Sequence, residues 1–347
     1  MPKQKKLKVA LIFGGTSQER EVSLSTGATM AQNLDPRKYD VIPIEISKQG
    51  KWLTSSGTIR QISRSVIARS GATKQSQKEI ASLITRKDER GKPDVALLAL
   101  HGPGGEDGTI QGMLELLKIP YTCSSVLASA LAMDKIRTKV FVTRLGIKVA
   151  HAVLVYKHDY ASEKKHYFKQ IRGKVVVKPN RMGSSLGTFI VSGKAAVDRA
   201  IKKAFRHDSE VLVEKFIEGT ELTVPVLGNT RPQALPVIEI VPLISNFFDY
   251  KAKYAVGGTD EIVPARISDK ARREVQTLAL QIHLAMGCRG LTRSDFIMNK
   301  KGELYFLEIN TIPGLTPTSL VPKSAAAAGI SYPQLLDILI KLALQKD

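Results

Sequence analysis

The chain has 347 residues, more than a single hydrophobic core supports, so two or three domains are expected. Its 43% hydrophobic content excludes a disordered chain. Two cysteines, Cys123 and Cys288, cannot form a disulfide framework and suggest a reducing compartment. No apolar run approaches the roughly 20 residues of a membrane span, and the N-terminal VALIF run is too short for a signal peptide. We therefore expect a cytoplasmic protein without a membrane partner.

The formal net charge of +20 raises the possibility of nucleic-acid binding through phosphate contacts. Lys and Arg are spread along the whole chain, however, without interleaved aromatic residues and without a zinc-ligand, RRM-like or helix-turn-helix pattern. A generally basic solvated surface with a few phosphate-facing lysines explains the charge better. No nucleic-acid partner is expected.

The first segment alternates strand and helix signals: a strand at 7–13, a helix at 19–33, and strands at 39–46 and 94–100. Fully apolar strands separated by helical stretches predict a parallel sheet covered on both faces. Ligands of such sheets bind at the carboxyl ends of the strands. Gly14-Gly15 and His101-Gly102 follow two of these strands, so we expect both loops to line one cleft.

Residues 55–92 interrupt this pattern. They contain nine Lys or Arg against three Asp or Glu, and the segment matches neither a clear strand nor a strong amphipathic helix. It also resembles the translated mobile palindromic repeats found inserted in some bacterial genes. We predict a surface insertion that is mobile and dispensable for the chemistry.

The remainder of the chain predicts two mixed strand-and-helix units. Residues 124–214 contain the helical run ASALAMDKIRTKVFVTRLG, a strand at 174–179, a helical stretch to about 205 and a strand at 210–217. Residues 215–347 contain strands at 221–228 and 234–241, a polar loop, a helix ending near Gly287, and a C-terminal helix from Tyr332. The NTIPGLTPTSLVP run is too rich in Pro and Gly for regular structure.

Two strand-like runs near the C-terminus, LTRSDFIM and ELYFLEIN, are joined by a polar NKKG turn. Because strand side chains alternate faces, Arg293 and Asp295 share one face, as do Glu308 and Asn310. A turn centred in NKKG sets Asp295 opposite Glu308 and Arg293 opposite Asn310. Two carboxylates and an amide oxygen form a donor set suited to Mg²⁺, and an adjacent arginine suits an anion. The alternative is a solvated hairpin face carrying ordinary surface charges.

The GSSLG sequence at 183–187 lies between two predicted strands and is bracketed by glycines. Its backbone amides and hydroxyls can fold over an anion. It is not a Walker A sequence, because GK[ST] is absent and no helix follows directly. Taken alone, such a sequence is more often an ordinary hairpin turn.

In chain order, these motifs resemble the D-alanine:D-alanine ligases of the ATP-grasp superfamily, and the resemblance spans the whole chain apart from 55–92. It rests on GGTSQEREVSLSTG, HGPGGEDG, MDK, VVVKPNRMGSSLG, VEKFIEGTEL, YKAKY, TRSDF, EIN and PGLTPTSLVP. The fold it implies is α/β with three domains: an N-terminal parallel α/β domain (1–123) and two α+β lobes that clamp ATP, the lid lobe (124–214) and the metal-binding, catalytic lobe (215–347).

The resemblance also implies the nucleotide and metal ligands. Asp295, Glu308 and Asn310 would hold two Mg²⁺ ions, with Mn²⁺ possible, that bridge the ATP phosphates. The linker between the lobes would bind adenine through its backbone groups. One glutamate would lie near the base, a second would accept hydrogen bonds from the ribose hydroxyls, and three lysines would contact the phosphates. These ATP-binding residues are Lys135, Lys178, Glu214, Lys215, Phe216, Ile217, Glu221 and Lys253. Each lysine and glutamate taken singly also fits a solvated surface.

For the amino-acid site, the resemblance pairs Glu19 with the ammonium group of the first D-alanine. Ser184 and Tyr254 match its hydrogen-bonded partners, which close a loop over the site, and His101 lies beside the substrates. Arg293 and the backbone amide of Gly314 would form an oxyanion hole. Ser319 would position the second D-alanine, which attacks the acyl phosphate formed from the first. A homodimer is the expected assembly.

Alternative functions remain open. The chain could ligate D-alanine to D-serine or D-lactate, although relatives that make depsipeptides lack the Lys-Tyr pair found at Tyr254. It could also be a basic nucleic-acid-binding protein on a degenerate scaffold, or an inactive structural relative. Arg181, Met182 and Ser294 depart from the family's usual residues, and none of them is a predicted ligand.

Overall fold

The computed structural model describes residues 5–54, 92–243 and 258–345. The predicted insertion, apart from its last residue, lies outside these ranges, as do Lys253 and Tyr254. Within the described ranges the strands are β1 Leu7–Gly14, β2 Tyr39–Ile46, β3 Trp52–Thr54, β4 Val95–Leu100, β5 Ala152–Tyr156, β6 Lys174–Pro179, β7 Phe189–Ser192, β8 Glu210–Lys215, β9 Gly219–Leu227, β10 Gln233–Ala234, β11 Ile238–Pro242, β12 Thr259–Ile262, β13 Leu291–Asn299 and β14 Leu304–Asn310.

The helices of the same ranges are α1 Arg20–Asn33, α2 Thr109–Leu116, α3 Val126–Met133, α4 Lys135–Arg144, α5 Tyr160–Gln170, α6 Lys194–Ala204, α7 Asp269–Ala285, α8 Leu320–Ala327 and α9 Tyr332–Leu344. Together the described strands form three sheets.

The first sheet has the strand order β3-β2-β1-β4. The strands β2, β1 and β4 run parallel, as their apolar sequences predict, whereas the short edge strand β3 pairs antiparallel with β2. Every residue of β4 is buried, because helices cover both faces of the sheet. The carboxyl ends of β1 and β4 lie side by side, with Gly14 opposite Leu100.

The C-terminal helix α9 packs on the first sheet, far from it in sequence. Leu335, Leu336 and Leu339 join α1 and the strands β1 and β4 in one buried apolar cluster. The helix begins at Tyr332, as predicted. Its start is fixed by Gln334, whose Oε1 accepts a hydrogen bond of 2.8 Å from the backbone N–H of Ser331.

The second sheet is antiparallel, with the order β5-β8-β6-β7, and is backed by the helices α5 and α6. The loop between β6 and β7 contains the GSSLG sequence. Ser184 and Ser185 have φ values of 50° and 56°, in the left-handed region that few non-glycine residues adopt. The loop therefore has a specific bent conformation that other contacts must stabilise.

The third sheet has the order β12-β11-β9-β13-β14, with β10 paired to β9. Its antiparallel core is closed by α7 and by an edge-to-face contact between Phe296 and Phe306. Helix α7 begins after Ser268, whose side chain accepts a hydrogen bond from the backbone N–H of Ala271.

Four sequence predictions need correction. The helical run predicted at 128–146 is broken at Asp134, whose carboxylate caps α4 by accepting from the backbone N–H of Arg137. The strand predicted to end at 217 ends at Lys215. The strand predicted at 234–241 is divided between β10, which ends at Ala234, and β11, which starts at Ile238. Helix α8 begins inside the Pro- and Gly-rich run, because Pro322 falls in its first turn, where proline is tolerated.

Each sheet draws its strands from one of the three predicted segments, while α9 returns to the first sheet. The boundaries at 123 and 214 remain predictions. In the part of the chain described, no single helix is long and apolar enough to cross a membrane. Only α8 and α9 taken together meet that test, and they are bent by 101° at their break.

Candidate active site

The β13–β14 hairpin has the predicted register. Arg293 lies opposite Asn310 and Asp295 opposite Glu308, and a bulge follows Asp295. The prediction that these four residues occupy paired positions is therefore confirmed. The bulge changes the strand register only between Asp295 and the turn, so the pairing of these four residues is unaffected.

In this structure, cations balance the carboxylates of the hairpin. Arg293 binds Asp295 through two hydrogen bonds, Nε to Oδ1 at 3.0 Å and Nη2 to Oδ2 at 2.8 Å. Thr223 donates to Asp295 Oδ1 at 2.6 Å, and Lys135 Nζ lies 3.5 Å from Glu308 Oε2. Burial opposes the charge of Arg293, but Asp295 and Glu308 raise its pKa above the ordinary value, so the guanidinium stays charged.

The donor chemistry of this face fits a hard divalent cation. Asp295, Glu308 and Asn310 supply carboxylate and amide oxygens, the ligands that Mg²⁺ prefers. Among the described residues, no group of three or more His, Cys, Asp or Glu side chains could hold a metal ion, so the amide of Asn310 completes the candidate set. Its Oδ1 accepts a hydrogen bond of 2.9 Å from the backbone N–H of Ile312.

A cleft lies between the second and third sheets. The lining residues are Lys135, Ala150, Val176, Lys178, Pro179, Met182, Ser185, Leu186, Thr188, Ile190, Glu214, Lys215, Phe216, Ile217, Glu221, Asp295, Ile297, Leu307 and Glu308. They include seven of the eight sequence-predicted nucleotide residues. The eighth, Lys253, lies outside the described residues.

The cleft has an apolar part and a charged part. Val176, Ile190 and Leu307 supply flat apolar walls suited to an aromatic base. Lys135 Nζ donates to the carbonyl of Met182 at 2.6 Å, and Lys178 Nζ lies 2.9 Å from Glu214 Oε2. This combination of apolar walls and lysines can accommodate a base together with phosphate groups.

Glu19 and Ser184 are joined by a hydrogen bond, as predicted. The hydroxyl of Ser184 donates to Oε1 of Glu19, which precedes α1 and is buried. Glycines allow this approach: a Cβ built at Gly183 would lie 2.6 Å from Glu19 Oε2, and one at Gly102 would lie 2.7 Å from it. The GSSLG loop thus docks on the carboxyl ends of β1 and β4. Tyr254, the third predicted partner, lies outside the described residues.

His101 is buried beside these groups and is uncharged. Burial lowers the pKa of its imidazole to about 4, in spite of a backbone hydrogen bond with Ile312, and the Arg293 charge acts in the same direction. Its Nε2 lies 3.4 Å from Oγ1 of Thr26. Because Ile312 also binds Asn310, one short loop connects His101 to the hairpin.

Glu106 was not identified as a site residue from the sequence, although it lies in the HGPGGEDG motif. Burial, reinforced by the nearby charge of Glu19, raises the pKa of its carboxyl to about 8. Its Oε2 accepts a hydrogen bond of 2.5 Å from the backbone N–H of Gly102. The motif pointed to the loop, but only the tertiary packing reveals the buried carboxyl.

Gly314 and Ser319 lie against each other before helix α8. A Cβ built at Gly314 would lie 3.0 Å from Ser319 Oγ. The hydroxyl of Ser319 accepts a hydrogen bond of 3.0 Å from the backbone N–H of Thr316. Among the departures, Arg181 binds Asp208 at 3.2 Å near the base of the GSSLG loop, and Ser294 is fully buried.

Comparisons with known proteins agree with this geometry. The family model described as the D-Ala D-Ala ligase N-terminus matches residues 8–124, and the one described as the D-Ala D-Ala ligase C-terminus matches residues 141–341. A D-alanine--D-alanine ligase from Pelotomaculum thermopropionicum is 40% identical over 98% of this chain and 97% of its own length. One from Desulforamulus reducens is also 40% identical, over 98% and 99%.

Two solved structures are similar over the whole chain. A D-Ala:D-Ser ligase from Enterococcus faecalis has a TM-score of 0.83 and 36% identity, and covers 98% of this chain and 100% of its own. A D-alanine--D-alanine ligase from Bacillus anthracis, solved with ATP, has a TM-score of 0.75 and 33% identity, with 98% coverage of both chains.

The fold, with its cleft between two antiparallel lobes, is that of an ATP-grasp enzyme. Within that class, the chain belongs to the D-alanine:D-alanine ligase family.

Proposed function

We propose that this protein joins two D-alanines into D-alanyl-D-alanine at the expense of ATP, for peptidoglycan precursor synthesis. The observation that carries the proposal is the cleft, where seven residues predicted to bind ATP meet the carboxylates of the hairpin in a chain that belongs to this family. The carboxylate of the first D-alanine attacks the γ-phosphate and releases ADP. The amine of the second then attacks the carbonyl, and phosphate leaves.

The linker after β8 would recognise adenine. The backbone N–H of Lys215 is bound to His151 O at 2.9 Å, and that of Phe216 to Lys174 O at 3.0 Å. The carbonyl of Lys215 and the N–H of Ile217, which neither bond uses, are therefore the groups we assign to the base. Glu221 also lines the cleft and can accept from two ribose hydroxyls.

Lys135 and Lys178 would neutralise the phosphates, together with Lys253, which lies outside the described residues. Asp295, Glu308 and Asn310 would hold two Mg²⁺ ions, or Mn²⁺, which supply further neutralisation of phosphate charge when bound. The ammonium group of Lys135, which contacts Glu308 in this structure, would then contact a phosphate oxygen instead. Phosphoryl transfer depends mainly on such charge neutralisation and positioning.

At the amino-acid site, Glu19 would bind the first ammonium group, with Ser184 and Tyr254 completing its hydrogen bonds. Arg293 and the N–H of Gly314 would stabilise the oxyanion of the tetrahedral intermediate. His101, uncharged in its buried position, would face the substrates without adding a second cation. Ser319 would position the second carboxylate. The docked GSSLG loop would exclude water, which otherwise hydrolyses the acyl phosphate.

A second candidate is the ligation of D-alanine to D-serine, the reaction named for the similar Enterococcus faecalis D-Ala:D-Ser ligase. It is the less favoured of the two, because the curated relatives at 36–40% identity are D-alanine--D-alanine ligases. The two products differ only in the second substrate. We further propose that the protein is cytoplasmic and forms a homodimer with no membrane or nucleic-acid partner.

An ADP-release assay with ATP, Mg²⁺ and either D-alanine, D-serine or D-lactate tests the proposal. We expect ADP release when D-alanine is the only amino acid present, and a dipeptide of two D-alanines as the product. Release that requires added D-serine would favour the second candidate, and release independent of any amino acid would contradict both.

A further inference from the structure

Lys139 is a fully buried cation that none of the predicted site roles uses. Its relative exposure is 1%, and its Nζ lies 2.9 Å from Oε1 of Glu214. It also donates to the backbone carbonyl of Phe306 at 3.3 Å and lies 5.9 Å from the centre of the Phe306 ring. Burial lowers the pKa of Lys139 below its ordinary value, and the negative charge of Glu214 acts in the opposite direction. Glu214 is therefore the partner that offsets the cost of burying this ammonium group.

Glu214 binds two lysines, one on each oxygen. Lys139 contacts Oε1, and Lys178 contacts Oε2 at the same distance of 2.9 Å. Of these three residues, Lys178 and Glu214 line the cleft and Lys139 does not. Lys139 therefore contacts the carboxylate from the side that faces away from the cleft. Lys135, which lines the cleft, precedes Lys139 by one turn of α4 and contacts Glu308.

The two lysines determine the charge of the carboxylate. Burial opposes ionisation of Glu214, but Lys139 and then Lys178 outweigh it and lower the pKa of the carboxyl below its ordinary value. An ionised carboxylate only accepts hydrogen bonds, whereas a protonated one also donates. Without Lys139, Glu214 would have to share a single cation with the phosphate site.

We propose that Lys139 is a positioning residue for nucleotide selectivity: it holds Glu214 as an ionised acceptor next to the linker Lys215–Ile217. This inference rests on the proposed function of the cleft as a nucleotide site. An acceptor there binds the exocyclic amino group of adenine and repels the carbonyl oxygen that guanine has at the same ring position. Lys139 also leaves Lys178 available for phosphate, because it supplies Glu214 with its own cation.

Calorimetric titration of ADP and GDP, each with Mg²⁺, tests the inference without requiring ligation. Lys139→Met should lower the preference for ADP over GDP by about tenfold or more, the value of one hydrogen bond to a charged group. Glu214→Gln should cause a similar loss, because an amide presents either a donor or an acceptor. The double variant should lose no more than Glu214→Gln alone.

Two further variants make the test decisive. Lys139→Arg keeps the positive charge and should retain the preference for ADP within about twofold, since only the loss of charge should matter. Lys148→Met is the matched control, because it removes an exposed lysine paired with Glu303 at 2.5 Å and should change nothing.

An unchanged ADP-to-GDP ratio in Lys139→Met, or additive losses in the double variant, would overturn the inference. Should Lys139→Met fail to fold, the double variant decides, since it leaves neither an unpaired buried carboxylate nor an unpaired buried ammonium. A wild-type ADP-to-GDP ratio in the double variant would then contradict the proposal. A wild-type protein that prefers ADP but ligates no amino acids would refute the proposed function and leave the inference about Lys139 standing.

Discussion

Arg293 illustrates how one residue can serve two states. In this structure its guanidinium forms a two-point contact with Asp295, and 14% of its side chain is exposed. In the proposed reaction, cations bound to the hairpin would take over the charge of Asp295. The guanidinium would then be available for the oxyanion that forms when the second amine attacks.

Arg293→Ala should therefore slow dipeptide formation by at least ~10²-fold, the usual cost of losing one oxyanion donor. Steady-state kinetics with saturating ATP would measure it. Arg293→Lys should restore only part of the rate, because an ammonium cannot reproduce the planar two-point contact. A wild-type rate in Arg293→Ala would exclude Arg293 from the chemistry.

At the scale of elements, the docking of the GSSLG loop on the end of α1 joins two sheets. Ser184 binds Glu19, and the left-handed conformation of Ser184 and Ser185 aims the loop at the first sheet. Gly183 has no side chain to obstruct this contact. The loop is thus the element that closes the cleft over the amino-acid site.

Replacing Gly183 by Ala should weaken docking, because the added Cβ would lie 2.6 Å from Glu19 Oε2 and the buried carboxylate that binds Ser184 would have to shift. We expect KM for D-alanine to rise about tenfold or more, while the affinity for ADP changes little. Gly112→Ala is the control. Gly112 lies in α2, and a Cβ built there has an ordinary contact with Val126 Cγ2 at 3.8 Å. Equal kinetics in the two variants would rule out the role of the loop.

The sequence predicted those elements whose signals are local. The period-two alternation of side chains and the position of one turn predicted the register of β13 and β14, and apolar runs predicted the strands β1, β2 and β4. The break at Asp134 was missed because helix-forming residues flank it on both sides and only the cap reveals it. Lys139 and Glu106 were missed because their burial depends on distant segments. The one available sign was the spacing of Lys139 four residues after Lys135.

At the scale of the whole molecule, buried uncharged histidines make stability depend on pH. His283 is fully buried between Thr292 Oγ1 at 2.8 Å and the carbonyl of Gly228 at 3.2 Å. Burial lowers the pKa of its imidazole to about 4, although the bond to Gly228 acts against this. The unfolded chain has an ordinary histidine pKa near 6.5, so between these values it binds more protons than the folded protein.

Stability should consequently fall as the pH decreases from about 6.5 towards 4. Relative to a His283→Gln variant, the wild-type unfolding free energy should lose about 1.4 kcal/mol per pH unit in that range. Above pH 7 the difference between the two proteins should be constant. Chemical denaturation of both proteins at several pH values measures it, and parallel curves throughout would show that His283 titrates normally.

The central claim is that a carboxylate oxygen of the first D-alanine becomes bonded to the γ-phosphate in this cleft and leaves with that phosphate. Ligation of D-alanine carrying ¹⁸O in its carboxylate, followed by mass spectrometry of the released phosphate, tests this directly. The account predicts one labelled oxygen in each phosphate released per dipeptide formed. Dipeptide formation accompanied by unlabelled phosphate would contradict it.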